Sequence, residues 1–93
     1  MAQLLTQTEI QDLASNLSGW TVEGSKLSCQ RRFKDFLQAI EFVNKLVEPA
    51  ESAGHHPDIE ISYNKVKITL TTHDAGGLTQ KDFELAKKIS QIS

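Results

Sequence analysis

Two alternating apolar runs constrain this chain more than any other feature. Ile59, Ile61 and Tyr63 fall at every second position, Asn64-Lys65 follows, and Val66, Ile68 and Leu70 resume the same period. A period of two belongs to strands with one covered face, and so short a break between two such runs marks a hairpin. The pattern predicts Val66, Ile68 and Leu70 facing a core and Lys67, Thr69 and Thr71 facing outward, with His73 following Thr71 if the parity continues. An earlier stretch carries a weaker version of the signal. Trp20 and Val22 alternate, Glu23-Gly24-Ser25 supplies turn chemistry, and Leu27, Cys29 and Phe33 keep a period near two. Arg31 falls on the third inward position of that run, which predicts an edge, a bulge or an oligomer contact there rather than a buried centre.

Helical spacing fills the intervals. Thr8 is a cap candidate ahead of Ile10, Leu13, Ala14 and Leu17, which predicts a first helix over 8–17. Asp35 is a natural N-cap for a longer helix whose apolar face runs from Phe36 through Phe42 and Leu46 to Ala50. Pro49 must kink or divide that helix near Val47, because the ring removes a hydrogen bond and crowds the preceding turn, and Gly54 terminates it. Thr79 followed by Asp82 reads as a capping box for a last helix using Phe83, Leu85, Ala86, Ile89 and Ile92. The order is αββαββα. It predicts an α+β fold, a four-stranded antiparallel sheet with three helices on one face.

Composition bounds what such a fold can do. With 93 residues, 39% of them hydrophobic, and only seven Pro plus Gly, the chain has room for one core and no linker, so a single domain over 1–93 is expected. Ten Lys plus Arg against twelve Asp plus Glu argue against direct nucleic-acid binding as the main role. The lone Cys29 can form neither an internal disulfide nor a thiolate cluster, nothing near the start of the sequence resembles a signal peptide, and no apolar run approaches membrane-spanning length. A cytoplasmic protein is expected, with no membrane role.

The chemistry rests on three histidines. His55 and His56 are adjacent and Pro57 holds His56 toward an extended conformation, whereas His73-Asp74 leaves the end of a strand before the Gly76-Gly77 turn. Each has an ordinary explanation: solvated loop rings for the histidines, a loop cap for Asp74, a helix cap for Asp82, a core anchor for Trp20. Glu51 lies one helical turn before His55 and could face it. A metal site is disfavoured, since adjacent histidines point different ways while chelating pairs sit two apart on a strand or four apart on a helix. Cys29 sits in an alternating strand and no serine or lysine is tied to a base. Histidines without a nucleophile suggest proton transfer.

Glu51, His55, His56, Pro57, Tyr63, His73 and Asp82 together match a motif: acid, three residues, His, His or Asn, Pro, five or six residues, aromatic, nine residues, His, at least eight residues, Asp. In this the chain resembles the pterin-4a-carbinolamine dehydratase (4a-hydroxytetrahydrobiopterin dehydratase) family. Trp20, the 33–36 stretch, Tyr63-Asn64-Lys65-Val66 and Thr72-His73-Asp74-Ala75-Gly76-Gly77-Leu78 extend the likeness. The resemblance implies a hydro-lyase that removes water from a 4a-hydroxytetrahydropterin to give quinonoid dihydropterin, in tetrahydrobiopterin recycling, without a metal or other cofactor. It implies His55, His56 and His73 as the catalytic group; within it, His55 and His73 are expected to form the acid and base pair, in either order, and His56 to be an orienting or binding group. It places Trp20, Glu51, Gly54, Thr71, Thr72, Asp74 and Asp82 around the pterin, and it implies a homodimer or homotetramer. The same family includes dimerisation cofactors of a homeodomain transcription factor, so a non-catalytic interaction role is the alternative, as is a related pterin role in molybdopterin metabolism.

Overall fold

The computed structural model describes residues 3–92. Helix α1 (Gln7–Ser15) precedes strands β1 (Trp20–Glu23) and β2 (Lys26–Arg32). Helices α2 (Phe36–Lys45) and α3 (Val47–Ala53) lead to strands β3 (Asp58–Ser62) and β4 (Lys65–Leu70), a single 3-10 turn at His73–Ala75, and helix α4 (Gln80–Ser90). The strands form one antiparallel sheet in the order β1-β2-β4-β3. This is the α+β architecture the periodicity predicts, with α2 and α3 as one bent pair.

The division of that pair is a backbone effect. Leu46 ends α2 and caps α3, so Pro49 falls in the first turn of a new helix, where its missing N–H costs no internal hydrogen bond. Asp35 caps α2 by accepting from Gln38 N at 2.9 Å. The first helix starts earlier than its apolar spacing suggests. Its N-cap is Thr6, which with Glu9 forms a reciprocal capping box, leaving Thr8 inside the helix.

Cross-strand register builds the core in rows. Trp20, Cys29, Ile68 and Ile59 make one row, Val22, Leu27 and Leu70 a second, and both face the helices. Leu27, Val66, Ile68 and Leu70 are fully buried beneath Phe42, Phe83, Leu85 and Ile89. The opposite face carries Gln30, Lys67 and Glu60 in register and stays polar. Burying side chains of this size contributes roughly 1.5–3 kcal/mol each, which makes this face the main source of stability.

Arg31 departs from its expected setting. The β2 ladder to β4 runs unbroken through Gln30, Arg31 and Arg32, so there is no bulge, although the pairing of β2 with β1 ends at Cys29, opposite Trp20, and leaves that flank of Arg31 an edge. The side chain turns inward. Its guanidinium lies 4.7 Å from the Phe42 ring centroid and donates to the carbonyls of Ile92 at 2.6 Å and Ile89 at 3.1 Å, satisfying the last turn of α4. Tyr63 also differs from its pattern. It occupies the β3–β4 turn with φ 54°, exposed, and Asn64 steadies the turn by donating from Nδ2 to Phe33 O at 2.8 Å and accepting from Phe33 N at 2.7 Å. Among the described residues, no helix is long and apolar enough to cross a membrane.

Candidate active site

One end of the molecule gathers the chemistry-bearing residues. Helix α3 ends at Gly54, whose φ of 61° reverses the chain; Gly54 N donates to Glu51 O and His55 N to Ala50 O, each at 3.2 Å. This paired closure is a Schellman motif, and it turns His55 back toward the body of the protein. A second loop comes from the end of β4. Thr72 N donates to Gly77 O at 3.0 Å, Gly76 N to Thr72 O at 3.0 Å, and Gly76 takes φ 79°, so the backbone of the His73–Ala75 turn is closed on itself.

Between the two loops lies a cleft of about 240 Å³. Gly54, His55 and His56 line one side, and Thr71, Thr72, His73 and Asp74 line the other. Lys81, in the first turn of α4, completes it. All three histidines therefore meet at one opening, although His55 and His73 come from loops separated in sequence by an entire hairpin.

His55 has the most determined surroundings. Its Nε2 is 2.6 Å from Asp82 Oδ1, with its side chain 12% exposed and that of Asp82 fully buried. Asp82 Oδ2 accepts from Thr72 Oγ1 at 2.8 Å and from Thr79 N at 2.9 Å. Thr72 and Thr79 hydroxyls are 2.8 Å apart, and since Thr72 gives its one hydrogen to Asp82, Thr79 must donate to Thr72. Every partner of Asp82 is thus a donor. The hydrogen bonding assigns the N–H of His55 to Nε2 and leaves Nδ1 as the nitrogen open to other partners. Asp82 is both the capping acid of α4 and the anchor of His55; one carboxylate has an oxygen for each task.

Glu51 pairs with the other histidine. Its Oε2 lies 2.6 Å from His56 Nε2, with side chains 67% and 62% exposed. The expected approach of Glu51 to His55 does not occur, because the left-handed turn at Gly54 sends the ring of His55 inward. Glu51 and His56 share instead an apolar groove of about 220 Å³ with Leu46, Val47, Pro57 and Ile59, and His56 also lines the cleft.

The remaining expected residues divide. Thr71 lines the cleft with its hydroxyl given to Ser25 O at 2.7 Å. His73 and Asp74 are exposed and their side chains have no partner among the described residues. Asp82 is closed off, so it reaches the cleft only through His55 and Thr72, not by direct contact with a ligand. Trp20 is not brought to the histidines. It begins β1, at the far edge of the sheet from β3, packs in the core, and donates from Nε1 to Ser90 Oγ at 2.8 Å. Lys81 is the cleft residue that motif spacing does not single out. No group of three or more His, Cys, Asp or Glu among the described residues is arranged to hold a metal ion.

A histidine cleft thus lies at the end of a helix-covered, four-stranded antiparallel sheet, with a buried carboxylate behind one ring. A profile of the pterin 4 alpha carbinolamine dehydratase family matches residues 3–92, and the chain belongs to that family. Proteins named for this dehydratase in Nostoc punctiforme and Trichormus variabilis are 80% identical over 92 residues and 78% identical over 93 residues, covering 99% and 100% of both chains. Among solved structures, a Brucella melitensis protein described as a transcriptional coactivator/pterin dehydratase superposes with a TM-score of 0.87 at 35% identity, covering 92% of this chain and 94% of that one.

Proposed function

We propose that this protein dehydrates a 4a-hydroxytetrahydropterin to quinonoid dihydropterin and water, in tetrahydrobiopterin recycling, using histidine acid–base catalysis. The observation that carries the reading is the meeting of His55, His56 and His73 at one cleft, with His55 held by Asp82. Loss of water breaks the C4a–O bond. A proton goes to the departing hydroxyl, another leaves a ring nitrogen, and the electron pair of that N–H closes the new double bond. No electrons are exchanged with a second reactant. Imidazole, with an ordinary pKa of about 6.5, can give and take protons at neutral pH.

In this reading His55 presents Nδ1 to the substrate, since Nε2 is engaged by Asp82, and His73 faces it from the other loop as the second member of the acid–base pair. His56 orients the ring, steadied by Glu51. Thr72 and Asp74 supply polar contacts to the heterocycle, while Gly54 and Thr71 shape the walls. The protein works as a homodimer or homotetramer, in keeping with Phe36 and Leu37 of α2 and Val47 of α3 being more than half exposed.

Rapid mixing of enzyme with freshly generated carbinolamine tests the mechanism. His55→Ala and His73→Ala are each expected to lower the dehydration rate by about 10²-fold or more, the usual contribution of a positioned acid or base. A wild-type rate in His73→Ala would remove it from the pair.

A further inference from the structure

The two loops that meet at the cleft are held in different ways. The His55 loop has a side-chain anchor, the contact of Nε2 with Asp82 at 2.6 Å. The side chains of His73 and Asp74 have no such anchor among the described residues, so where the His73 ring stands depends on what holds its backbone. The turn closes on itself through Thr72 and Gly77, yet a closed turn at the end of a strand can still swing as a unit. Its outer contacts decide whether it does.

Those contacts come from the segment ahead of α1 and from the β1–β2 turn. Leu5 N donates to Leu78 O at 3.0 Å, and the half-buried Leu5 side chain packs against the core. Leu4 lies across Gly77: a Cβ added there would stand 3.0 Å from Leu4 Cδ2 and 3.7 Å from Ser25 Cβ. On the same loop Thr71 Oγ1 donates to Ser25 O at 2.7 Å. Gly77 is buried although it belongs to a turn, and its φ is not left-handed, so the segment crossing it, rather than its backbone, is what favours glycine. Leu4 itself is 55% exposed, so its contact with Gly77 bears on the loop more than on the core. Resting on the reading of His73 as one of the acid–base pair, we infer that Leu4 and Leu5 are positioning residues, a strap that ties the Gly77–Leu78 end of the loop to the start of α1 and so fixes His73 opposite His55. An acid and a base serve one substrate only while both stay within hydrogen-bond reach of it, and a misplacement of about 1 Å can cost as much as 10²-fold in rate.

Leu4→Gly in the full-length protein tests the strap, since it uncovers Gly77 and frees the backbone beside Leu5. Amide hydrogen exchange, which needs no substrate, should show Thr72 and Gly76 exchanging about fivefold faster, with Gly54 and His55 unchanged. In the dehydration assay kcat should fall about fivefold while KM stays within about twofold. Leu4→Met keeps an apolar cover and should restore both readouts. Gly77→Ala, which displaces Leu4, should speed exchange of the same amides, and should do so no further once Leu4 is replaced by glycine. In a His73→Ala background Leu4→Gly should have no effect on the rate, because the ring that the strap positions is already gone. Unchanged exchange at Thr72 and Gly76 overturns the inference, as does an equal rise at Gly54 and His55 or a further loss of rate in the His73→Ala background. Absence of turnover in wild type overturns the dehydratase reading alone, since exchange still decides whether the strap holds the loop.

Discussion

Among the described residues, two histidine–carboxylate pairs of the same length lie in opposite surroundings. His55–Asp82 and His56–Glu51 both close at 2.6 Å, yet the first has a fully buried carboxylate and a nearly covered ring, while both partners of the second are about two-thirds exposed. Distance alone does not rank them. In the buried pair, neither group has water to replace a lost partner, and Asp82 also serves Thr72 and the N-cap of α4. In the exposed pair, solvent competes for every contact and ordering two side chains costs as much entropy as the bond returns. The first pair is part of the fold as well as of the site; the second belongs to the surface of the site only.

The largest effect should come from removing the carboxylate that both tasks share. Asp82→Ala strands the His55 Nε2–H, the Thr72 hydroxyl and the Thr79 N–H in a buried place, a loss of about 3 kcal/mol by comparison with other buried networks. The dehydration rate should fall by about 10–100-fold in the same variant, as when a supporting group behind a functional histidine is lost. Urea unfolding and the rapid-mixing assay read the two quantities. A loss of less than about 0.5 kcal/mol would abolish the contrast between the pairs.

Reading of the fold from sequence succeeded where the physics is local. The hairpin of β3 and β4, the Asp35 cap and the division at Pro49 each depend on residues within one or two turns of one another, so periodicity and backbone chemistry suffice. Arg31 shows the limit. Its apparent misfit in an apolar row is resolved by the carbonyls of Ile89 and Ile92, some sixty residues away, which no pattern around β2 can reveal. The site divides in the same way. That His55, His56 and His73 share a cleft follows once both loops are placed at one end of the sheet. Which carboxylate takes which histidine depends on the direction in which Gly54 turns the chain. Asp82 looked like a helix cap and is one; that its other oxygen reaches His55 is visible only in three dimensions. Trp20 belongs beside Ser90 because β1 and β3 occupy opposite edges, a matter of strand order. Lys81 did leave a local sign, a lysine in the first turn of a helix whose start was already marked by Thr79.

Cys29 extends the comparison to a buried titratable group with no hydrogen-bonding partner among the described residues. Burial pushes its thiol from 9.0 up to about 11, with Arg31 opposing the shift in part. Below pH 9 the thiol is protonated in folded and unfolded chains alike, so it has no effect on stability. Between pH 9 and 11 the unfolded chain releases the proton and the folded one retains it, so stability falls as pH rises. One proton over that window corresponds to about 1–3 kcal/mol. Wild type should therefore lose about that much more than Cys29→Ala between pH 8.5 and 11 in urea unfolding, and Cys29 should resist thiol reagents at pH 8 until the protein is unfolded. Parallel losses in the two proteins would show that the thiol is better solvated than its position in the Trp20–Ile68 row implies.

The smallest effect is expected at the exposed pair, and it is the sharper test because it sets function against stability. Glu51→Gln keeps the shape of the side chain and removes its charge, and by the usual worth of a solvated ion pair the change in unfolding free energy should stay under about 0.5 kcal/mol. A double-mutant cycle of Glu51→Gln with His56→Gln should give a coupling of similar size, several times smaller than the coupling between His55 and Asp82. What remains for Glu51 is to hold the His56 ring at the cleft, so the variant should raise KM more than it lowers kcat. A coupling at the exposed pair as large as that at the buried one would mean that the groove formed by Leu46, Val47, Pro57 and Ile59 is covered in solution, withdrawing Glu51 and His56 from water and making the two pairs alike.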